Sequence, residues 1–424
     1  MYKYLIVFVL AMPLVGIWFV EHGDVTSMGI YGEPNGATEA FAAFAGLTLV
    51  VAFLSSGRNL SGPVVSEHYA PGPPDYTDGN IAFTHFATRL LMLNAVFLLT
   101  MLFVFDGMQV WQGTLEKGVF RATLGSFGAL PFLMTKFVVP ALFAYSTLLL
   151  MLTDQSPHAK WLWRLNAILV FLAGSTWGFK TTGLFMLLPG LLVLNWKLPI
   201  GRLLAFGCLF IGALILFFFW FDAELMPDVD VLAFLGTRLT VLQGDVAWYI
   251  WGQYVDDQSL PSYWPTLLAA MGDTVLGSFV SKTNFAEWMG YHYDWMLTYL
   301  AGNSLEVIAN GHSVTGTPFA EGVVAGGWVG VMFVAIIAGL LVGRTYCYLD
   351  RAIQSGSHIT AAVLSTYFCF HIFSWLNGGA ITQLFHVSVF VYLLTTFWLI
   401  SVMSAPIQSA VIPASSNQLD LERP

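Results

Sequence analysis

The sequence predicts an all-α membrane protein, a polytopic bundle of about ten transmembrane helices. Hydrophobic residues make up 57% of the 424-residue chain and charged residues only 10%, and the mean hydropathy is +0.72. That composition leaves too little polar surface for a soluble protein of this length. Apolar runs long enough to cross about 30 Å of hydrocarbon recur along the chain without the alternation of outer-membrane strands, so the spans are expected to be helices.

The apolar runs predict ten spans, at 4–20, 39–54, 83–105, 132–152, 161–179, 183–196, 203–221, 322–343, 358–376 and 381–403. The first run resembles a signal peptide, but no small-residue cleavage site follows Val20, so we interpret it as a retained helix. The sixth is short, and Thr181-Thr182-Gly183 before it is compatible with a tight hairpin. The spacing of the three cysteines indicates no disulfide framework.

The basic residues of the short loops predict the orientation of the bundle. With ten spans, one side carries Lys3, Arg58, Lys160, Arg164, Lys197, Arg202, Arg344, Arg351 and Arg423. That side is therefore cytoplasmic, and both termini are expected there. The chain then divides into an N-terminal transmembrane bundle of about seven helices (1–221), a long loop region on the opposite side (222–320), and about three C-terminal helices with a cytoplasmic tail (321–424).

The long loop is rich in tryptophan and tyrosine. These side chains prefer the membrane interface, where one end of the ring is apolar and the other is wet. We therefore expect short amphipathic helices lying over the outer leaflet, for example at 231–254 and 265–279, in place of a soluble domain. Stacking of the aromatic faces on sugar rings is the alternative interpretation.

Few basic residues remain on the loop side: Lys117, Arg121, Lys136, Lys180, Arg238 and Lys282. A cation near the end of a span, such as Lys136 or Lys180, costs on the order of a kcal/mol or more unless it is paired or snorkels. Arg238 precedes Asp245 by seven residues on roughly the same helical face. Salt bridges or snorkelling anchors explain each cation singly, whereas Lys136, Lys180 and Arg238 together predict a pocket for a lipid-linked phosphate or pyrophosphate.

Seven acidic or histidine side chains on the same side are acid or base candidates: Asp245, Glu287, His292, Asp294, Glu306, His312 and Glu321. Glu321 stands where a polar, glycine-rich approach (311–320) runs without a break into an apolar span, and a carboxylate there is a functional-site hypothesis. Capping of the span by Glu321 is the alternative. For His312 the alternative is a hydrogen bond to the backbone.

Two acidic clusters, Asp228-Val229-Asp230 and Asp256-Asp257, have the pattern of a divalent-metal site that neutralises pyrophosphate. Patterns of this length arise by chance, and acids in loops are mostly solvated. We therefore predict no metal and no cofactor.

Two motifs resemble a known family. In the segment 311–343, Glu321 is followed by Gly327-Trp328-Val329-Gly330 and a span that closes with Gly339-Leu340-Leu341-Val342-Gly343. The stretch 174–184, Gly-Ser-Thr-Trp-Gly-Phe-Lys-Thr-Thr-Gly-Leu, is similar to a hairpin between two central spans. Both resemble bacterial O-antigen and oligosaccharide repeat-unit polymerases (Wzy-type), as does the layout with a long loop before the last spans.

The resemblance implies a GT-C-like glycosyltransferase of the bacterial inner membrane that joins undecaprenyl-pyrophosphate-linked repeat units at its periplasmic face. Lys180 and Arg238 would hold the pyrophosphate, and His312 or Glu321 would orient or deprotonate the acceptor. Where the family often has arginine in the hairpin, this chain has Lys180, which removes bidentate phosphate binding there. The resemblance also implies membrane lipids and a chain-length regulator protein as partners. It implies no nucleic acid.

Other functions remain open. The related O-antigen ligases carry a histidine in a comparable loop, so ligase activity is a second interpretation. A transporter or lipid flippase would use ionisable residues within spans, such as His85 and Arg89. Arg89 lies about two turns from the expected cytoplasmic end of its span and is within snorkelling reach. We find no internal repeat, and a purely structural scaffold would not explain the cations on the loop side.

Overall fold

The computed structural model describes residues 1–26, 29–57, 76–112, 120, 134–153, 156–176, 182–196, 199, 201, 205, 212, 236–237, 240–257, 297, 316–379, 381–385 and 387–411. Within these ranges the protein is helical and has no strand, so the all-α class is confirmed. Five of the described helices are long and apolar enough to cross a membrane: Tyr2–Glu21, Ala37–Gly57, Asn80–Val104, Pro318–Gln354 and His358–Gly378.

Three shorter apolar helices, Met134–Leu150, Thr182–Leu194 and Val389–Ser404, also coincide with predicted spans. A helix at Pro157–Ser175 overlaps the span predicted at 161–179. The span at 203–221 lies largely outside the described residues, so the total of ten stays a prediction.

We number the main helices in chain order. They are α1 (Tyr2–Glu21), α2 (Ala37–Gly57), α3 (Tyr76–Leu99), α4 (Gly107–Trp111), α5 (Val139–Leu150), α6 (Pro157–Ser175), α7 (Thr182–Leu194), α8 (Val241–Asp257), α9 (Pro318–Gln354), α10 (His358–Tyr367), α11 (Phe373–Gly378) and α12 (Val387–Val411). Short π-helical segments adjoin α3, α5 and α10, at Thr100–Val104, Met134–Val138 and Phe368–Ile372.

The chain forms two compact units. Unit one comprises Met1–Gly62, Asn195–Ser355 and Leu364–Val391, and unit two comprises Pro63–Leu194, Gly356–Val363 and Tyr392–Pro424. Each unit combines segments that are distant in sequence, whereas the division into 1–221, 222–320 and 321–424 follows chain order. That division stays a prediction about topology.

In unit one, small residues bring helix backbones into contact. Gly339 and Gly343 of α9 lie against α2, where a Cβ at Gly339 would stand 2.7 Å from the Thr48 carbonyl oxygen. The Ser55 hydroxyl also donates to the Gly339 carbonyl across this contact (3.3 Å). Close backbone approach through small residues is how helices associate in a membrane, where lipid tails are as apolar as leucine.

Helix α8 overlaps the segment 231–254, where an amphipathic helix is expected, but it differs in its start and in its burial. It starts at Val241, ten residues after the predicted start, and packs along α1 with Gly244 against the backbone of Pro13 and Gly16. Most of its side chains from 244 to 251 are buried. A helix is therefore present over most of 231–254, and it is more buried than an amphipathic surface helix would be. Its position over the outer leaflet stays a prediction, and the helix predicted at 265–279 lies outside the described residues.

Helix α9 is interrupted, which contradicts the expected unbroken entry into the span. Gly326 has φ −178° and ψ 33°, and Gly327 has φ 57° and ψ −137°, so neither continues the helix. Gly322 and Gly330 would be about 12 Å apart along a straight helix, yet their backbones are in contact. The segment 318–325 therefore folds sharply against the start of the long segment 328–354.

In unit two, α3 and α5–α7 pack together. The Asn166 amide of α6 donates to the Ala87 carbonyl of α3 (2.9 Å), and Gly174 touches Gly183 where α6 turns into α7, which agrees with the tight hairpin. Arg89 lies nine residues into the candidate span Asn80–Val104, about 14 Å along the helix. Its Nη1 donates to the Met403 carbonyl (2.6 Å).

Candidate functional site

The two ends of unit one differ in chemistry. At one end Tyr2 packs on Trp196 and Tyr346, and the Trp196 indole donates to Asp350. At the other end lie three buried carboxylates, Glu21, Asp245 and Glu321, which are 9%, 1% and 3% exposed. We call this second end the acidic end. Buried carboxylates are costly unless hydrogen bonds or opposite charges compensate them.

Glu21, at the end of α1, fixes the start of α2. Its Oε1 accepts hydrogen bonds from the backbone N–H of Asn35 (3.2 Å) and Ala37 (2.8 Å). Its Oε2 accepts from the backbone N–H (3.3 Å) and the hydroxyl of Thr38. The first N–H groups of a helix have no partner within the helix, and a carboxylate there also complements the helix dipole. Glu21 therefore acts as a cap supplied by the preceding helix.

Two tryptophans of α8 hold the loop between α1 and α2. The indole N–H of Trp248 donates to the Glu33 carbonyl (2.9 Å), and that of Trp251 donates to the Asn35 carbonyl (3.2 Å). The Asn35 amide returns a hydrogen bond to the Trp248 carbonyl (3.1 Å). Buried indoles usually find such an acceptor, and here the hydrogen bonds join α8 to the loop between α1 and α2.

Glu321 lies in the short segment 318–325 of α9. Its Oε2 accepts the indole N–H of Trp375 at 2.7 Å, and its Oε1 accepts the backbone N–H of Ile381 at 2.8 Å. Alongside, the Gly316 N–H donates to the Gly378 carbonyl (3.2 Å). The carboxylate therefore ties α9 to α11 and to the turn that follows it.

The proposed capping role of Glu321 is wrong in detail. The N-cap of α9 is Thr317, with Pro318 in the first helical position, and Glu321 is the fourth residue of the helix. Its side chain turns away to α11 and the turn after it. Proline is favoured at the first helical position because it lacks an N–H there, so Thr317-Pro318 was the sequence pattern that marked this helix start.

The Thr317 hydroxyl is the unusual polar group of the acidic end. Thr317 is 1% exposed, and no donor or acceptor among the described residues lies within hydrogen-bonding distance of its Oγ1. An N-cap threonine commonly accepts a backbone N–H of the first turn, but this one makes no such bond. A buried hydroxyl without a partner costs about 1–3 kcal/mol, so its retention calls for a reason.

Aromatic rings connect Glu321 to α8 and α2. Phe319 packs against Phe41 and Phe44 of α2 and against Trp251 of α8, at centroid distances from 5.3 to 5.9 Å. Trp251 also meets Trp328 edge-to-face at 4.9 Å. Trp328 follows the break in α9 and is 44% exposed. The aromatic cluster is thus buried at Phe319 and open at Trp328.

The lysine and arginine side chains that the structure describes in unit one lie away from its acidic end. The lysine and arginine side chains that the structure describes in this unit are Lys3, Arg344 and Arg351. Lys3 stacks over Tyr346, and both arginines lie 16 or more residues beyond Trp328 on α9, so all three are remote from the acidic end.

The predicted site residues fall into three groups. Glu321 and Asp245 both lie at the acidic end; Asp245 is six residues before Trp251 on α8, and its Oδ1 accepts the Val246 N–H (2.8 Å). Lys136 lies in unit two, in the π-helical segment before α5. Arg238, Lys180 and His312 lie outside the described residues. The predicted cationic pocket therefore stays a prediction, as does the pairing of Arg238 with Asp245.

The part of the chain that the structure describes contains no group of three or more histidine, cysteine, aspartate or glutamate side chains placed to hold a metal ion. Among the two acidic clusters of the sequence, Asp256-Asp257 ends α8, and 228–230 is not described.

Sequence reasoning missed three residues of the acidic end. Glu21 is not among the predicted site residues, although Asn35 and Thr38 at the start of α2 mark a helix that needs a cap. Thr317 was passed over despite the proline after it. Trp375 gave no signal, because a tryptophan in an apolar run is typical of a span.

No protein-family model, curated protein or solved structure matches the chain.

Proposed function

We propose that this protein is a membrane glycosyltransferase that polymerises undecaprenyl-pyrophosphate-linked oligosaccharide repeat units at the periplasmic face of a bacterial inner membrane. The observation that carries the proposal is Glu321, a buried carboxylate fixed by Trp375 and Ile381 at the entrance of a long apolar helix. An intramembrane or interfacial ionisable group of this kind marks a functional site. The likeness of 311–343 and 174–184 to repeat-unit polymerases supports this type of reaction.

In the proposed reaction the growing chain leaves its lipid carrier for the next unit. An acceptor hydroxyl attacks the anomeric carbon of the donor, a base takes the hydroxyl proton, and the bond from that carbon to the pyrophosphate oxygen breaks. Lys180, Arg238 and Lys136 would stabilise the charge that develops on the departing undecaprenyl pyrophosphate. His312, Glu321 or Asp245 would orient or deprotonate the acceptor. No metal takes part.

The test is polymer formation by purified protein supplied with lipid-linked repeat units. A ladder of products is expected, and Arg238→Ala should abolish it while the protein stays at normal abundance in the membrane. Arg238→Lys should recover only part of the activity because a point charge cannot replace the guanidinium fork, and Lys180→Arg should be tolerated. A normal ladder from Arg238→Ala would remove this residue from the mechanism, and no ladder from wild-type protein would contradict the function.

The interrupted helix α9 favours a transporter as the second candidate. Broken helices that line a midplane site are typical of transporters, and Gly326-Gly327 interrupts α9 beside the buried Glu321. The two functions differ in what accumulates in cells that lack the protein. Loss of a polymerase leaves single lipid-linked units exposed on the periplasmic face, whereas loss of a flippase leaves them on the cytoplasmic face. A ligase would instead transfer finished chains, and its purified form would make no ladder.

A further inference from the structure

Arg89 of α3 is a cation inside a candidate membrane span, and the described residues satisfy only part of it. Its Nη1 donates to the Met403 carbonyl of α12 (2.6 Å), in the part of α12 that belongs to unit two. A guanidinium has five N–H donors, so most of them stay open to other acceptors. The side chain is partly exposed. A cation at this depth is a functional-site hypothesis.

The helices of unit two offer Arg89 no nearby carboxylate. Helices α5, α6, α7 and α12 carry no aspartate or glutamate along their length. The acidic residue of α3 is Asp78, eleven residues before Arg89 and about 16 Å away along the helix. The Met403 carbonyl is neutral, so it fixes the guanidinium without cancelling its charge. A cation in a span is costly unless it is compensated, and an anion from outside the chain would compensate this one.

Arg89 lies on a face of α3 that the protein leaves open. His85, one turn before Arg89 on the same face, is exposed. After Arg89 the face continues with apolar side chains that are more than half exposed, Met92, Val96 and Leu99. An open apolar face of a membrane span contacts acyl chains. The two polar side chains at its lower end therefore meet the polar part of a lipid.

The depth of the pair matches a lipid headgroup. A helix crosses about 30 Å of hydrocarbon in about 20 residues, so a span that ends at Val104 enters the hydrocarbon near His85. Arg89 then lies about 6 Å inside the edge, one helical turn further on. Long basic side chains cover such a distance by snorkelling. Lipid phosphates lie just outside the hydrocarbon, at the level of His85.

We propose that His85 and Arg89, with the open apolar face of α3 beyond them, bind an anionic phospholipid. One edge of the guanidinium holds the Met403 carbonyl and another binds a phosphate oxygen, a use of the planar fork that suits arginine. His85 donates a hydrogen bond to the same phosphate, and an acyl chain lies along Met92 and Val96. The chain has a formal net charge of −9, so its overall charge does not attract this lipid. The site goes beyond the proposed function and does not depend on it.

The test compares the thermal stability of the full-length protein in two kinds of nanodisc, one of phosphatidylcholine and one of an equal mixture of phosphatidylcholine and phosphatidylglycerol. Phosphatidylglycerol should raise the Tm of the wild type, because a ligand of the folded state stabilises it. In Arg89→Gln this rise should disappear, whatever the Tm of the variant in phosphatidylcholine alone. Arg89→Lys should keep only part of the rise, because an ammonium lacks the two-sided geometry of the fork.

Arg164→Gln is the matched control. Arg164 is an exposed arginine of α6 in the same unit, so it shares any general attraction between basic side chains and an anionic membrane. This variant should keep the rise in Tm, and His85→Leu should lose part of it. Equal losses in Arg89→Gln and Arg164→Gln would reduce the effect to unspecific charge and overturn the site. An undiminished rise in Arg89→Gln would overturn it as well and leave Arg89 as a tie between α3 and α12.

Affinity is measured by titrating phosphatidylglycerol into the protein in neutral detergent and counting bound lipids by native mass spectrometry. Binding to Arg89→Gln should be weaker than to the wild type by about tenfold or more, the size expected for a charge-assisted hydrogen bond. Binding to Arg164→Gln should be unchanged. Glycerol phosphate, which carries a phosphate without acyl chains, should not displace the lipid. Displacement by glycerol phosphate would indicate a site for soluble anions and refute the lipid as its ligand.

Discussion

Glu321 and Trp375 form a buried, charge-assisted hydrogen bond. A structural role for this bond and a role of Glu321 in proton transfer predict different results for the same variants. We predict that Glu321→Gln and Trp375→Phe each lower polymer yield and Tm, and that the double variant is no worse than the more damaging single change. Trp375→Phe removes this bond, worth about 1.5–3 kcal/mol for a charged acceptor, and Glu321→Gln removes the charge of its acceptor, so the two changes act on the same interaction and their effects should not add. The measurements are thermal unfolding and the product ladder of the four proteins in the cycle.

If Glu321 acts as the base that takes the acceptor proton, the same set of variants would give another result. Glu321→Gln would then abolish product at every pH, while Trp375→Phe would keep most of it and retain the wild-type pH profile. Glu321→Asp adds a further check, because a side chain shorter by a methylene cannot reach both Trp375 and Ile381 from the same backbone. Glu321→Asn with full activity would remove the residue from both roles.

Glu21 is a second carboxylate with a role that can be measured by stability. Glu21→Ala leaves the amides of Asn35, Ala37 and Thr38 without this acceptor, and we expect unfolding to become easier by about 1–3 kcal/mol. Glu21→Gln keeps one oxygen and should cost less. Glu33→Gln is the control, since Glu33 is exposed and only its backbone carbonyl binds Trp248. Equal Tm values for Glu21→Ala and the control would refute the cap.

At the scale of single elements, Gly327 is the residue that allows α9 to bend. Its φ of 57° is unfavourable for residues with a Cβ, and a Cβ there would also meet the ring of Tyr254. We therefore predict that Gly327→Ala lowers Tm and polymer yield together, because the segment carrying Glu321 would shift. Gly46→Ala in α2 is the control: its Cβ meets nothing within 4 Å, and alanine favours the helix, so Tm should hold or rise.

The sequence predicted the apolar helices well and the break in α9 not at all. Hydropathy responds to composition, and Gly326-Gly327 between Ala325 and Trp328 reads as a continuous apolar run. The break depends on φ and ψ, which are set by contact between Gly322 and Gly330 and by the neighbouring Tyr254. The same limit applies to α8. Its aromatic residues favour the membrane interface, whereas the contact between Gly244 and Gly16 cannot be predicted from the sequence. Glu321 was found because a carboxylate in an apolar context is conspicuous; Thr317 and Trp375 are ordinary in theirs.

At the scale of the whole molecule, sequence pattern did not show which helices belong together. Helices of a membrane protein can be apolar on every face, so periodicity does not reveal their partners. The pairs α2 with α9 and α1 with α8 join segments that are far apart in the chain, through close contacts of Gly339 and Gly16. Small residues in apolar runs were the available clue, but glycine is common throughout this chain, with 40 copies.

At the scale of the whole molecule, we also predict that the acidic end lies on the periplasmic face of the membrane. The segment 328–354 of α9 is about 40 Å long, more than the hydrocarbon thickness, so its ends lie on opposite sides if it spans. Tyr31, in the loop after Glu21, belongs to the acidic end, and Ser355 follows the basic end of α9 with Arg351. Because basic loops favour the cytoplasm, a cysteine at Tyr31 should react with a membrane-impermeant thiol reagent in spheroplasts. A cysteine at Ser355 should react only after permeabilisation.

The labelling is done after the native Cys208, Cys347 and Cys369 are replaced by alanine, and membrane abundance is checked for each variant. A cysteine at Ser262, in the loop region 222–320, should label together with Tyr31→Cys. Labelling of Ser355→Cys alone in spheroplasts would put the acidic end in the cytoplasm, where lipid-linked units have not yet crossed the membrane. A polymerase acting on exported units would then be excluded, and Glu321 would have to serve a reaction or a transport step on the cytoplasmic side.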